Sequence, residues 1–167
     1  MGISEFLAGM ITGQTLAMLG AALALGTAGF GTAMGVHAAG VSAAGAVAEN
    51  KDNFKNALVL QAMPQTQTIY GFIIALLIAM GAGLLGAAKE ITVSQGGVML
   101  AAGLVVALTG LSAAFQGKIS AAGIAATAKN QGAFVPSIIF SGQAETPAIF
   151  GFVIALIVLV VGLGVLG

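Results

Sequence analysis

One acidic residue, Glu145, lies in a stretch of the sequence that is otherwise largely apolar. About twenty residues follow it before the sequence ends, and Ile, Val, Leu and Gly dominate them. A carboxylate at the centre of a membrane-spanning helix costs about 2.5–3.5 kcal/mol on insertion scales, and such residues mark ion or proton pathways. We therefore interpret Glu145 as a group that binds a cation or a proton and releases it when its surroundings change. The alternative is a protonated structural glutamate held by hydrogen bonds.

In an earlier apolar stretch, residues that can offer oxygen atoms, from the backbone at Met63 and from side chains at the others, have the spacing of one helical face. Met63, Thr66, Gln67 and Tyr70 stand at positions i, i+3, i+4 and i+7. Pro64 lies in the same turn and disrupts the bonding of the carbonyl four residues earlier, which favours free backbone oxygens there. We interpret this face as a source of ligands for a cation beside the carboxylate.

A second amide, Gln116, is the only one between Gln95 and Asn130. One hydroxyl, two amide carbonyls, one backbone carbonyl and the Glu145 carboxylate would make a neutral, all-oxygen site for a hard monovalent cation. A site for protons alone needs only the glutamate, so the residues leave both ions open. Ordinary interhelical hydrogen bonding is the alternative for Thr66 and Gln67, worth about 0.6 kcal/mol on average. An interfacial position is the alternative for Tyr70, whose hydroxyl could otherwise hold the carboxylate.

The composition indicates a membrane protein. Of 167 residues, 59% are hydrophobic and 26 are glycine, whereas only 6% are charged. Soluble domains carry about 25% charged residues, so a soluble domain is excluded. Five basic and five acidic residues cancel, which removes any electrostatic argument for a nucleic acid partner. The absence of cysteine excludes thiol chemistry, and no glycine-rich stretch leads into the Lys-Ser or Lys-Thr of a phosphate-binding loop, so we expect no nucleotide hydrolysis by the chain itself.

Polar positions divide the chain into four stretches long enough to cross a membrane. A span needs about 20 predominantly apolar residues, and each stretch exceeds this by about ten, which favours tilted or protruding helices. The connections are short, so successive helices are antiparallel neighbours. We predict an all-α membrane protein with four transmembrane helices at residues 11–47, 54–86, 92–128 and 134–167.

Lysine placement predicts the orientation in the membrane. Lys51, Lys55 and Lys129 fall in the first and third connections, whereas Lys89 is alone in the second. The excess of lysine on the cytoplasmic side places the loops near 49–55 and 129–133 in the cytoplasm and both termini outside. The first residues lack the features of a signal peptide, so we expect the N-terminus to be retained.

The sequence contains an internal repeat. Residues 69–76 match residues 149–156 at six of eight positions with an offset of 80, and residues 41–45 match residues 119–123 at an offset of 78. We place the two-residue difference in the cytoplasmic loops. The chain is thus predicted to be two fused helical hairpins, 1–88 and 89–167, with the same orientation in the membrane. Gln65 occupies the first-repeat position of Glu145, which leaves one ionisable site for two hairpins.

Regularly spaced glycines predict close helix packing. Small residues on one face of a helix let backbones approach each other in lipid. In the third helix glycine recurs every seven residues, and the first helix carries a pair four residues apart. We expect these residues to line a crowded helix interface: Gly96, Gly103, Gly110 and Gly117, and Gly31 and Gly35.

Taken together, these motifs resemble the sixteen-kilodalton proteolipid, the K or c subunit, of V-type ATPases. The likeness rests on the fused hairpins, the glycine-rich helices, GlnGlyLys at 116–118 and AlaGluThr at 144–146 before PheGlyPhe at 150–152. The resemblance implies a homo-oligomeric rotor ring that turns in the lipid bilayer against a stator subunit with an essential Arg. It also implies central-stalk subunits on the cytoplasmic loops and ATP hydrolysis in other subunits.

The segment 64–72 is similar to that of sodium-transporting bacterial members of this family. By this resemblance Na⁺ binds the Met63 carbonyl, Thr66, Gln67, Gln116 and Glu145, while Tyr70 bonds the carboxylate. A bacterial cell membrane is then the expected location. The same rotor carrying H⁺ is the alternative; a small cation or multidrug antiporter is a remote one, as is a structural or channel-forming proteolipid.

Overall fold

The structure is a computed structural model that describes residues 2–3, 9, 11–86 and 89–162, and these contain helices and turns without a strand. Four helical spans in this part of the chain are long and apolar enough to cross a membrane, which confirms the predicted fold class. The spans are Gly13–Glu49, Lys51–Gly81, Val93–Lys129 and Gln131–Gly162. The predicted end of the fourth helix, residues 163–167, lies outside the described residues.

The first span is a continuous α-helix, and the other three contain breaks. The second span consists of a 3₁₀ turn at Lys51–Asn53, an α-helix at Phe54–Ala62, a 3₁₀ turn at Met63–Gln65 and an α-helix at Thr66–Gly81. The third consists of α-helices at Val93–Gly110 and Ser112–Lys129. The fourth consists of a 3₁₀ turn at Gln131–Ala133 and α-helices at Phe134–Gln143 and Thr146–Gly162.

The second span ends at Gly81, before the predicted residue 86, because a glycine turn stops it. Gly83 has a φ of 70°, in the left-handed region that glycine adopts without strain. Its N–H donates to the Met80 carbonyl at 3.1 Å, and the Leu84 N–H donates to the Ala79 carbonyl at 2.9 Å. This bonding is the Schellman motif, which ends a helix at the residue before its C-cap.

The first and third spans begin with matching caps. The Thr12 hydroxyl accepts from the Thr15 N–H at 3.1 Å, and the Thr92 hydroxyl accepts from the Gln95 N–H at 3.2 Å. In both, the side chain of the third helical residue bonds back to the threonine N–H, which completes a capping box. The first helix therefore starts at Gly13 and not at residue 11.

The connections after the first and third spans are also copies of each other. Asn50 accepts from the Asp52 N–H at 2.9 Å, and Asn130 accepts from the Gly132 N–H at 3.0 Å. The two preceding spans are both 37 residues long, and their starts, their ends and the two turns all keep the offset of 80. The loops therefore do not contain the two-residue difference expected from the sequence. The match between 41–45 and 119–123, at an offset of 78, joins segments that do not occupy equivalent positions.

The first and third spans pack along their length through small residues. A Cβ added at Gly96 would meet Gly13, one at Gly103 would meet Gly20, and one at Gly117 would meet Gly35. Residue numbers rise together along both helices, so the two spans are parallel, as a parallel repeat requires.

All six of the predicted packing glycines lie at this contact. A Cβ at Gly110 would lie 2.8 Å from the Ala28 Cβ, and one at Gly31 would lie 2.8 Å from the Gly110 carbonyl oxygen. The second span packs mainly on the first span, and the fourth packs mainly on the third. The glycine contact therefore forms the centre of the fold and brings the two outer spans close to each other.

Polar side chains join the first and third connections at one end of the bundle. Asn53 donates to the Ala46 carbonyl at 2.9 Å and accepts from the Gln131 amide at 2.9 Å. Asn56 donates to the Gln131 carbonyl oxygen at 2.7 Å. At the other end, the Gln14 amide donates to the Lys89 carbonyl at 2.8 Å. The first and third connections, which carry three of the four loop lysines, thus share one side of the bundle.

We expect Gly20→Ala to destabilise the fold, since the added Cβ would lie 2.7 Å from the Met99 carbonyl oxygen. Overpacking of this kind costs about 1–3 kcal/mol. Gly26→Ala is the matched control, because no atom lies within 4 Å of its added Cβ. Thermal unfolding followed by circular dichroism in detergent should show a lower midpoint for Gly20→Ala. A midpoint equal to or above that of Gly26→Ala would contradict the close packing of the first and third spans.

Candidate ion-binding site

Glu145 lies in a short break between the two α-helices of the fourth span. The N–H groups of Ala144 and Glu145 donate to carbonyls three residues earlier, Ser141 and Gly142, each at 3.1 Å. Pro147 has no N–H to donate to the Gln143 carbonyl, so regular helical bonding cannot continue through this turn. The break leaves the Glu145 side chain half-buried in the apolar middle of the chain's last span.

A second break lies at the corresponding place in the second span. Met63–Gln65 forms a 3₁₀ turn, and Pro64 has the non-helical angles φ −77° and ψ 17°. Pro64 lacks the N–H that would bond the Leu60 carbonyl, which accepts instead from the Met63 N–H. The disruption expected from Pro64 is therefore present. Gln65 and Glu145 are equivalent at the offset of 80, so both breaks fall at the same point of the repeat.

The two broken spans meet through Tyr70 and Glu145. The Tyr70 hydroxyl donates to the Glu145 carboxylate oxygen Oε1 at 2.8 Å. The Tyr70 ring stacks on Phe152 of the fourth span, with ring centroids 5.1 Å apart and planes at 24°. Tyr70 and Phe152 are both half-buried. Tyr70 is therefore held in a fixed position from which it orients the carboxylate.

Two fully buried amides lie on the facing helices of the second and third spans. Gln67 and Gln116 each have 0% of their surface exposed. The Gln67 amide nitrogen donates to the Gln116 carbonyl oxygen at 2.7 Å, and the Thr66 hydroxyl donates to the Gln67 carbonyl oxygen at 3.2 Å. The structure thus brings Thr66, Gln67 and Gln116 into one hydrogen-bonded chain.

One polar atom of this hydrogen-bonded group of three side chains has no partner within the part of the chain that the structure describes. The Gln116 amide nitrogen is buried and has no hydrogen-bond partner among the described residues. An unsatisfied buried polar group costs about 1–3 kcal/mol, so it needs a physical reason. The amide oxygen and nitrogen exchange places on rotation of the side chain, so this group can reorganise around a ligand. The two side-chain amides therefore satisfy only part of each other's hydrogen-bonding capacity.

The available donor atoms suit a hard cation. The cluster offers a carboxylate, a hydroxyl, two amide carbonyls and a broken turn, and all of these ligands are oxygen. No group of three or more His, Cys, Asp or Glu side chains occurs in the part of the chain that the structure describes. The single carboxylate of the cluster provides one negative charge, which one monovalent cation or one proton would neutralise.

Sequence reasoning missed a polar contact next to this cluster. The Ser120 and Ser141 hydroxyls are buried and 2.7 Å apart, which joins the third and fourth spans. Ser141 lies four residues before Glu145, and Ser120 lies four residues after Gln116. The i, i+4 spacing from both predicted ligands was the signal that could have found this pair.

Comparison with known proteins identifies the family. The family of ATP synthase C subunits matches residues 19–78 and 100–158. The K subunit of the A-type ATP synthase of Methanocaldococcus jannaschii is 44% identical over 90% of this chain, which spans 64% of the length of that relative. The K subunit of the V-type sodium ATPase of Enterococcus hirae is 42% identical over 86% of this chain and 89% of the relative. The 16 kDa proteolipid, or c subunit, of the V-type proton ATPase of Homo sapiens is 29% identical over 93% and 97%, respectively.

The family match covers both hairpins, and it includes the breaks in which Met63 and Glu145 lie. The resemblance predicted from the sequence motifs is confirmed, and four apolar helical spans agree with an integral membrane component of an ATPase. The chain belongs to the family of ATP synthase C subunits, the membrane proteolipids of rotary ATPases.

Proposed function

We propose that this chain is the ion-carrying subunit of the membrane rotor ring of a V-type ATPase, and that Glu145 carries Na⁺. The observation that supports this most is that one helix of the second span bonds both the Glu145 carboxylate, through Tyr70, and the buried Gln116 amide, through Gln67. A carrier of protons alone needs only the glutamate, so two amides buried near it favour a cation. The similarity to a relative named as part of a sodium ATPase, 42% identical, points the same way.

In this proposal Na⁺ is held by the Glu145 carboxylate, the Gln67 and Gln116 carbonyls, the Thr66 hydroxyl and the Met63 backbone carbonyl. Tyr70 does not bind the ion but keeps the carboxylate turned toward it. The ion and the carboxylate sum to zero charge, which is the condition for carrying the site through lipid. The Gln116 carbonyl oxygen, which accepts from the Gln67 amide, has a second lone pair with which it would bind the ion.

Transport would follow from rotation of the ring. Copies of the chain would form a closed ring, in which hairpins 1–88 and 89–167 are the repeating units. The neutral, loaded site would pass through lipid, and an essential Arg of the stator would compete for Glu145 and free the ion into an exit path. ATP hydrolysis in other subunits would drive rotation through central-stalk subunits on the cytoplasmic loops. This chain supplies the ion site and no catalytic group.

The orientation in this proposal follows from the lysines. The loops near 49–55 and 129–133 would face the cytoplasm of a bacterial cell, and both termini would lie outside. H⁺ in place of Na⁺ is the alternative, since a protonated Glu145 is also neutral and still accepts from Tyr70. The proton-type relatives at 29% and 31% identity keep this alternative open. Protons and Na⁺ should in either case compete for the same carboxylate.

We expect Na⁺ to protect Glu145 from carbodiimides, which attack protonated carboxyl groups in membranes. Bound Na⁺ excludes the proton, so labelling should slow as Na⁺ is raised at constant ionic strength. Mass spectrometry of the labelled chain measures this, and K⁺ at the same concentrations is the control. Labelling of Glu145 that Na⁺ does not slow would contradict the sodium proposal and leave a proton carrier.

Glu145→Gln should abolish ion transport without preventing assembly. Glutamine has the shape of the protonated acid but can neither carry nor release a charge. Sodium uptake by the reconstituted complex should fall to background, while the mass of the detergent-solubilised ring stays that of the parent. Transport that survives this substitution would refute the assignment of Glu145.

Thr66→Val should weaken Na⁺ protection while leaving carbodiimide labelling in place. Loss of one oxygen ligand is expected to raise the protective Na⁺ concentration by about tenfold, which corresponds to about 1.4 kcal/mol. Thr127→Val is the matched control, because the Thr127 hydroxyl is buried without a hydrogen-bond partner among the described residues and lies eleven residues along the third span from Gln116. Equal Na⁺ protection in the two variants would exclude Thr66 as a ligand.

A further inference from the structure

A groove of about 490 Å³ opens on the side of the first hairpin, between the first and second spans. Its walls include Thr32 and Val36 from the first span and Gln65 and Thr68 from the second. The hydroxyls of Thr32 and Thr68 are buried and have no hydrogen-bond partner among the described residues. Two residues of the groove wall therefore have hydroxyls that are unpaired within the described part of the chain, although neighbouring atoms cover both oxygens.

The internal repeat identifies this groove as a counterpart of part of the ion site. The starts, ends and turns of the repeated helices keep the offset of 80, so Gln65 corresponds to Glu145 and Val36 corresponds to Gln116. In the ion site, Glu145 and Gln116 come from the second hairpin. The groove on the first hairpin is therefore the structural equivalent of the part of the ion site that Glu145 and Gln116 form on the second hairpin.

The other half of the ion site also has a counterpart in the same chain. Thr66 and Tyr70 of the second span approach the second hairpin from the side, and the corresponding residues of the fourth span are Thr146 and Phe150. Phe150 is 67% exposed, and Thr146 is also exposed. This half therefore has no partner within the described part of its own chain, just as the groove has none.

We propose that the groove receives Phe150 and Thr146 of a second copy of this chain. The contact between hairpins within one chain would be repeated between chains, and repetition of such a heterologous contact gives a ring when the rotation between copies closes. The ring itself rests on the proposed function, whereas the residues that meet across the contact are the new inference. Phe150 of the neighbouring copy would lie over Gln65 as Tyr70 lies over Glu145.

The chemistry of the groove favours a protein occupant over lipid. Hydrocarbon offers no hydrogen bond to the side-chain amide of Gln65, which lines the groove and is exposed. The neighbouring copy would bring the exposed Thr146 hydroxyl and the Gln143 carbonyl, which Pro147 leaves without its usual N–H partner. The neighbour therefore supplies both apolar volume and polar atoms where the groove needs them.

The contact between copies would have the geometry of the ion site without its chemistry. The carboxylate is replaced by Gln65, the tyrosine by Phe150, and the two ligand glutamines by Val36 and Pro147. No acidic group and no tyrosine hydroxyl remain at these positions to hold a cation. Around the ring, contacts within chains that bind the ion would alternate with contacts between chains that do not.

Thiol cross-linking tests this contact, because the chain contains no natural cysteine. In the variant Gln65→Cys with Phe150→Cys, a short bifunctional thiol reagent should join neighbouring copies. Denaturing gels of the assembled ring should then show a ladder of covalent oligomers. The control is Gln65→Cys with Ile149→Cys, since Ile149 is at the same depth but about 100° around the helix. This control should lose the ladder.

A second pair, Ala33→Cys with Phe150→Cys, probes the other wall of the groove and should give the same ladder. The mass of each variant in detergent, measured before cross-linking, separates the two proposals. An intact ring in which neither pair forms a ladder, or in which the Ile149 control forms an equal one, overturns the contact proposed here. A parent chain that forms no ring at all overturns the rotor function and this contact together.

Discussion

The structure depends on one constraint, which is that a carboxylate inside a membrane must be neutral or neutralised. The Glu145 side chain accepts from Tyr70 and lies in a break of the fourth span, and the second span is broken at the equivalent point of the repeat. Unbroken helices would direct every carbonyl into its own ladder and leave only side chains for an ion. Pro64 and Pro147 each interrupt the helical ladder; the two prolines stand at different positions of the repeat, but the breaks beside them fall at the same point. In the proposed function these breaks are part of the ion site.

The glycine contact determines how close the proposed ligands can come. Gln116 lies one residue before Gly117, whose added Cβ would meet the backbone of Gly35. Because the first and third spans approach this closely, the second span, which packs on the first, brings Gln67 to 2.7 Å from Gln116. Larger residues at the contact would separate the two amides. The packing of the helices and the geometry of the candidate site thus depend on the same few positions.

Sequence patterns predicted the parts of this arrangement that depend on helical periodicity. Thr66, Gln67 and Tyr70 have the spacing of one face, and the structure brings Gln67 to the third span and Tyr70 to the fourth. The end of the second span could not be predicted in the same way, because the residues up to 86 remain apolar and only the left-handed φ of Gly83 stops the helix. The pairing of Ser120 with Ser141 depends on how two helices cross, which no single-helix pattern contains. The prediction that the loops contain a two-residue difference between the repeats was wrong. Short motifs of serine, alanine and glycine recur along such helices, so a match between two of them does not determine how the repeats align.

The central claim, that Na⁺ is the ion held at Glu145, is tested most directly by equilibrium binding of radioactive sodium to the purified protein in detergent. Binding should saturate at one Na⁺ per chain, and the apparent affinity should fall as the pH is lowered, since a proton on Glu145 competes with the ion. Saturable binding whose apparent affinity does not fall as the pH is lowered would contradict the claim, and so would the absence of saturable binding at any Na⁺ concentration.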